Sequence, residues 1–244
     1  MSFPRTKMMA AALAAATAAL APLAALAGVV VSASGPSAAS YPVGKKISDS
    51  ERIVLRAGDT LTVLDGRGTR VLRGAGTYSL NQQAGPSQRG TFVVLTEQRS
   101  AQRMRTGAVR NAADEGPKHS PNLWYVDVDR PGNVCLASTD RVRLWRNTIE
   151  GDVTYSLSTA GGGKETVTFA DGEMLAPWDT TVLPVSNGAV YRIAGPGGAS
   201  PSEFHFTVLD GVSDNPEGLA EQLIEHGCTQ QLELLSTAML IAEG

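Results

Sequence analysis

From Gly28 onward the chain is written mostly in short alternating runs. Val29-Val30-Val31 is a β-branched triplet. Ile53 and Leu55 alternate with Arg52, Val54 and Arg56, and Leu61 and Val63 alternate with Thr60 and Thr62. Asp65-Gly66-Arg67-Gly68 carries turn chemistry, and an apolar-polar run resumes over 69–72. Gly74-Ala75-Gly76 turns the chain again into 77–80, and 91–95 is a further β-rich run. A period of two, β-branched residues and Gly-rich turns predict strands joined by hairpins. Residues 28–97 are therefore expected to form one small β module.

A second series of runs begins at Asn122. The spans 123–128, 133–136, 142–145 and 153–157 each combine aromatic or β-branched residues with a polar boundary. Gly161-Gly162-Gly163 and Asp171-Gly172 are turns around 165–169, and 182–185, 189–193 and 204–209 complete the series. About eight short strands at intervals of about ten residues suit a sandwich or barrel. Trp124, Trp145 and Trp178 lie within or beside these runs and are expected in the core. Tyr191, after the Asn187-Gly188 turn, resembles the tyrosine-bearing strand of immunoglobulin-like sandwiches.

The period changes after Leu209. Asp214 or Asn215 can cap a helix with Pro216 in its first turn, and Gly227 can end it. Leu219, Leu223 and Ile224 supply its apolar stripe, and 230–241 forms a second helix through Leu232, Leu235, Met239 and Leu240. The expected fold is mainly β: an N-terminal meander, a sandwich-like module over 122–210, and a helical pair over 211–244 packed on the second module.

Between the two β modules, residues 98–121 break the pattern. Arg99, Arg103, Arg105, Arg110 and Lys118 meet acidic neighbours only at Asp114 and Glu115. A solvated linker rich in Gly, Pro and polar residues is one reading, and a basic surface for an anionic partner is the other.

The first 27 residues belong to neither module. Arg5 and Lys7 precede an uncharged Ala/Leu-rich run, and Ala25-Leu26-Ala27 has the A-x-A form of a cleavage site. This is the pattern of a bacterial export signal, with cleavage after Ala27. The alternative is a retained anchor, since 8–31 carries no charge, but its alanine content and Pro22 weigh against that. Nothing later in the chain is apolar enough to span a membrane, so none is expected after cleavage.

Composition narrows the function. The full chain has 21 Lys+Arg against 24 Asp+Glu, and loss of Arg5 and Lys7 leaves 19 against 24. A mildly acidic protein lacks the positive field that nucleic acid requires, so no nucleic-acid partner is expected. Cys135 and Cys228 are the only cysteines, and in an exported protein they are expected to form a disulfide. Gly66-Arg67-Gly68 and Gly74-Ala75-Gly76 lead into strands instead of helices, which argues against a phosphate loop. His119, His205 and His226 show no metal-binding spacing. Asp127 with Asp129, and Glu150 with Asp152, are carboxylate pairs that suit either acid–base chemistry or solvated strand ends. No catalytic residue, cofactor or metal is assigned.

The stretch Arg52-Ile53-Val54-Leu55-Arg56-Ala57-Gly58-Asp59, with 61–70 and Gly74-Ala75-Gly76-Thr77-Tyr78, resembles the periplasmic β domain of ferric-citrate-regulator (FecR-type) proteins, over about residues 50–97. Those domains repeat Gly-Asp, strand, Gly-Thr, strand. The resemblance implies a periplasmic sensing or interaction module. Those regulators carry a cytoplasmic anti-sigma segment, for which the seven residues before the apolar run here leave no room. The whole chain is similar to a family of exported bacterial proteins with this front module. The expected function is a periplasmic or secreted, non-enzymatic binding or accessory protein that engages an envelope partner, through a strand edge or through Arg99–Arg110. A carboxylate-dependent hydrolase or carbohydrate-active enzyme using Asp127 and Asp129 is the alternative.

Overall fold

Val29, Val30 and Val31 alternate across a strand that ends up with both faces covered. In a computed structural model, which describes residues 26–82, 88–97, 119–198 and 200–240, strand β1 (Leu26–Ser34) lies inside an antiparallel sheet of order β2-β1-β4-β5. Its neighbours are β2 (Lys46–Ser48) and β4 (Thr60–Asp65), and β5 (Gly68–Arg73) pairs with the far side of β4. Val30, Ile47, Leu61 and Val63 point to one face. There they meet Tyr41, Leu80 and the small ribbon of β3 (Ile53–Leu55) and β6 (Gly76–Tyr78). Val29, Val31 and Leu64 point to the other face, where they meet helices. The β4–β5 hairpin is set by Asp65, whose Oδ1 accepts from the N–H groups of Arg67 at 2.8 Å and Gly68 at 3.1 Å. Its Oδ2 pairs with Arg70 at 2.9 Å in a nearly buried setting.

The run 91–95, expected as a strand, lies in helix α1 (Arg89–Thr96). Phe92 and Leu95, three residues apart, reach the core while Val93 and Val94 stay exposed. Helical spacing of the two largest side chains overrides the β propensity of the valines.

The second module is a sandwich. Its larger sheet has the order β11-β10-β13-β14-β8, made of β8 (Gly132–Leu136), β10 (Val153–Thr159), β11 (Lys164–Phe169), β13 (Val190–Ala194) and β14 (Ser202–Val208). The smaller sheet has the order β12-β9-β7, made of β7 (Tyr125–Asp127), β9 (Arg143–Trp145) and β12 (Leu175–Pro177). Leu157, Phe169, Tyr191, Phe204 and Phe206 from the first sheet pack on Val126, Leu144 and Ala176 from the second. The Tyr191 hydroxyl donates to the Pro184 carbonyl at 2.6 Å and accepts from Ser186 N–H at 3.0 Å, tying its strand to the preceding corner. Residues 182–185, expected as a strand, form a turn and extended coil organised by Asp179; Leu183 and Val185 are still buried there.

Arg146 is 1 % exposed and gives its donors to the carbonyls of Glu173, Glu150, Gly151 and Ala170. It therefore joins the turns at 150–151 and 170–173 from inside, and its charge is solvated by peptide dipoles. All three tryptophans are buried.

The tail forms α2 (Pro216–Glu225) and α3 (Thr229–Ala238), which pack on each other. Asn215 caps α2 by accepting from Gly218 N–H at 2.8 Å. Gly227 ends it with φ +66°, a left-handed turn that favours glycine. Leu219 and Leu223 of α2 and Leu235 and Met239 near α3 cover Val29, Val31 and Leu64, so the tail lies on the N-terminal sheet as well as on β8. Thr69 N–H donates to the Met239 carbonyl at 2.7 Å, so the end of the tail also meets the β5 edge. Among the described residues no helix is long and apolar enough to cross a membrane.

Candidate functional site

The junction of these layers lies around residues 119–135. The chain leaves α1 at Glu97 and is described again from His119. Arg99, Arg103, Arg105 and Arg110 fall between these points and lie outside the described residues. Both flanks of the segment are fastened. Leu123 N–H donates to the Leu95 carbonyl at 3.0 Å, and the Trp124 indole N–H donates to the Thr96 carbonyl at 2.7 Å. The Asn122 amide donates to Glu97 at 3.0 Å, while its Oδ1 accepts from Trp124 N–H at 3.0 Å. The last carbonyls of α1, which have no partner inside the helix, are thereby satisfied by the returning chain.

Next to this junction is a shallow cleft of about 400 Å³ counted with its open mouth, lined by His119, Tyr125, Asp127, Arg130, Gln230 and Leu234 among others. Strand geometry explains the first side. Val126 points into the sandwich core, so Tyr125 and Asp127 point the opposite way, into the cleft. Helical spacing explains the second, because Gln230 and Leu234 are four apart on α3. Leu123 and Val134, both buried, give it an apolar floor.

Asp127 accepts one side-chain hydrogen bond, from Asp129 N–H at 3.0 Å. Partial burial pushes its carboxyl up to about 6. The Asp129 charge adds to that rise, while the Asp129 N–H, Arg130 and His119 oppose it. The Tyr155 phenol is also raised, first by burial and then by the charges of Asp129 and Asp127. Arg130 is held elsewhere: it bonds Glu233 of α3 and its Nη1 lies 3.4 Å from His119 Nδ1. The Gln230 amide nitrogen donates to Pro131 at 2.5 Å.

The two members of the Asp127/Asp129 pair are therefore unlike. Asp127 is half-buried in the cleft, whereas Asp129 is exposed and contributes its N–H to the turn. Around Glu150 and Asp152 the polar groups lock turns: Asp152 accepts from Asp171 N–H at 2.8 Å, and Asp171 accepts from Gly151 N–H at 2.7 Å. His205 is exposed between the buried Phe204 and Phe206, and His226 follows α2. Among the described residues no group of His, Cys, Asp and Glu could hold a metal ion.

Cys135 and Cys228 sit at disulfide distance, with Cα atoms 5.9 Å apart, in the core below the cleft. Gln231 lies beside them. Its Oε1 accepts from Cys135 N–H at 2.7 Å and its amide nitrogen donates to the carbonyls of Cys135 and Leu123, each at 2.7 Å. One glutamine side chain thus completes the open edge of β8, as a neighbouring strand would. Sequence reasoning placed Gln230, Gln231 and Arg130 in no site. Their meeting depends on α3 lying across β8, and no local pattern encodes that. Comparison with protein-family models, with curated proteins and with solved structures finds no match.

Proposed function

We propose that this chain is an exported, non-enzymatic binding or accessory protein that engages an envelope partner through the arginine-bearing segment at 98–118. One observation carries the reading: the segment is long, yet both its flanks are pinned to each other by Asn122, Leu123 and Trp124. The segment's sequence is rich in Arg, Gly and polar residues, a composition that suits a binding segment. Binding loops are characteristically mounted on rigid scaffolds.

The export reading rests on the charged start, the apolar run and the A-x-A site, and two cysteines at bonding distance suit an oxidising compartment. The likeness of residues 50–97 to ferric-citrate-regulator domains supports a sensing or scaffold role. The hydrolase alternative needs two carboxylates in one cleft, spaced about 5–9.5 Å. Asp127 lines the cleft without Asp129, which favours binding over hydrolysis.

Crosslinking in intact cells, followed by identification of what co-purifies, tests the proposal. The double substitution Arg103→Ala with Arg105→Ala is expected to weaken partner capture severalfold, and unchanged capture rejects this segment as the contact.

A further inference from the structure

We infer that the cleft beside Asp127 is a binding site for a primary ammonium group on an apolar stem, the chemistry of a lysine side chain. The inference rests on the partner-binding reading only for the source of that group, which would be a lysine of the partner. The site itself is argued from the cleft.

The charged lining is Asp127, Arg130 and His119; Asp129 and Glu233 lie beside it, and Tyr155 on β10, packed against the sandwich core, feels the charges of Asp129 and Asp127. Arg130 is engaged by Glu233 and His119, so its guanidinium does not form an ion pair with Asp127. A half-buried carboxylate with one hydrogen bond is left facing the open space. Arg130 and His119 share the lining and favour the ionised form of Asp127, but among the described residues no cation forms an ion pair with its carboxylate.

The acceptor geometry selects among cations. A guanidinium is matched best by a carboxylate with both oxygens free for paired N–H donors. Asp127 has already committed Oδ1 to Asp129 N–H. One free oxygen suits an ammonium, a compact charge with rotatable donors. The Gln230 amide nitrogen is fixed on Pro131, which leaves its oxygen as the second acceptor in the lining. Leu123, Val134 and Leu234 form the wall along which a methylene stem would lie, as lysine stems do on apolar surfaces.

An ammonium binds the ionised form of Asp127. With that carboxyl titrating at about 6, affinity should fall about tenfold from pH 7 to pH 5. The direction is fixed: bound cation lowers the carboxyl's proton affinity, so binding releases a proton at the acid end and is weakened there.

The test is a titration of the folded full chain with n-butylammonium, followed by NMR amide shifts at Tyr125, Asp127, Gln230 and Leu234. Saturable millimolar binding is expected, weakening about tenfold between pH 7 and 5. Asp127→Asn, which keeps the shape, should abolish both the binding and its pH dependence, while His119→Gln should keep the profile. Butanol, equal in shape and uncharged, should not bind. A flat pH profile, binding retained in Asp127→Asn, or butanol binding as well as butylammonium would each overturn the inference. A lysine-containing peptide compared with its norleucine counterpart then separates a partner's lysine from a free amine as the source. Because the probe is small, its result is independent of whether Arg103 and Arg105 capture a partner.

Discussion

The two β modules bury their cores in different ways. The sandwich is filled from its own strands and loops: every residue of that core lies between Val126 and Phe206. The N-terminal sheet fills only one face that way, with Val30, Ile47, Leu61 and Val63 packed beneath the β3–β6 ribbon. Its second face is completed by Phe92, Leu95, Trp124, Leu209, Leu219, Leu223, Leu235 and Met239, most of them far away in sequence. One module is built from local material, and the other is finished by the far end of the chain. The helical tail is thus a shared layer, and loss of its anchorage should be felt first by β1 and β4.

The strongest way to break this comparison is to cut the link between tail and sandwich. Replacing Cys135 and Cys228 by serine opens a closure of 93 residues, for which chain entropy alone gives up to about 4–5 kcal/mol. Amide exchange should then accelerate more at Val29–Val31 and Leu61–Leu64 than at Leu157 or Tyr191. Equal acceleration in both modules would mean that they unfold as one unit.

Leu223→Ala removes a fully buried side chain from the helix that covers the N-terminal sheet. A cost of about 2–5 kcal/mol is expected in denaturant unfolding, again with the N-terminal sheet as the region that loses protection. An intact N-terminal sheet in this variant would show that the ribbon side of its core suffices.

The smallest effect concerns charge at the same interface. Glu217, in the first turn of α2, sits over the Asp65–Gly66 turn. Burial raises its carboxyl, with the charges of Asp65 and Glu221 adding and the hydrogen bonds of its own and the Gly66 N–H opposing. A carboxyl raised on folding keeps its proton longer in the folded state, so stability falls as pH rises from the ordinary glutamate value through the folded one. Glu217→Gln should remove that fall and stabilise the helix–sheet contact slightly at neutral pH. An unchanged pH dependence of unfolding would mean that the carboxylate is solvated.

Much of the fold was legible locally. The alternation at 53–55 and 60–65, the Asp-Gly turns, and the Asn215-Pro216 helix start each describe a structure that its own residues largely stabilise. Residues 91–95 and 182–185 were misread because a short apolar run is compatible with strand, helix or coil until its neighbours are known. In α1 the neighbours are α3 and the Asn122–Trp124 return, and they reward the spacing of Phe92 and Leu95. The cleft was less legible still. Asp127 stood out as one of a carboxylate pair, but its true companions are Arg130, His119, Gln230 and Glu233, and the last two owe their position to α3 docking from about a hundred residues away.

By itself, then, the sequence determined a mainly β protein with a C-terminal helical pair whose first helix is capped by Asn215, because period, turn chemistry and caps act within a few residues of each other. It also supplied the two cysteines that the fold brings to bonding distance. Tertiary structure alone decided which face of which sheet the tail covers, that Gln231 closes the β8 edge, and that Asp127 is half-buried in a cleft shared with Arg130 and His119. Those outcomes depend on burial and desolvation between segments about a hundred residues apart, and such energies are written in the packing of the whole chain.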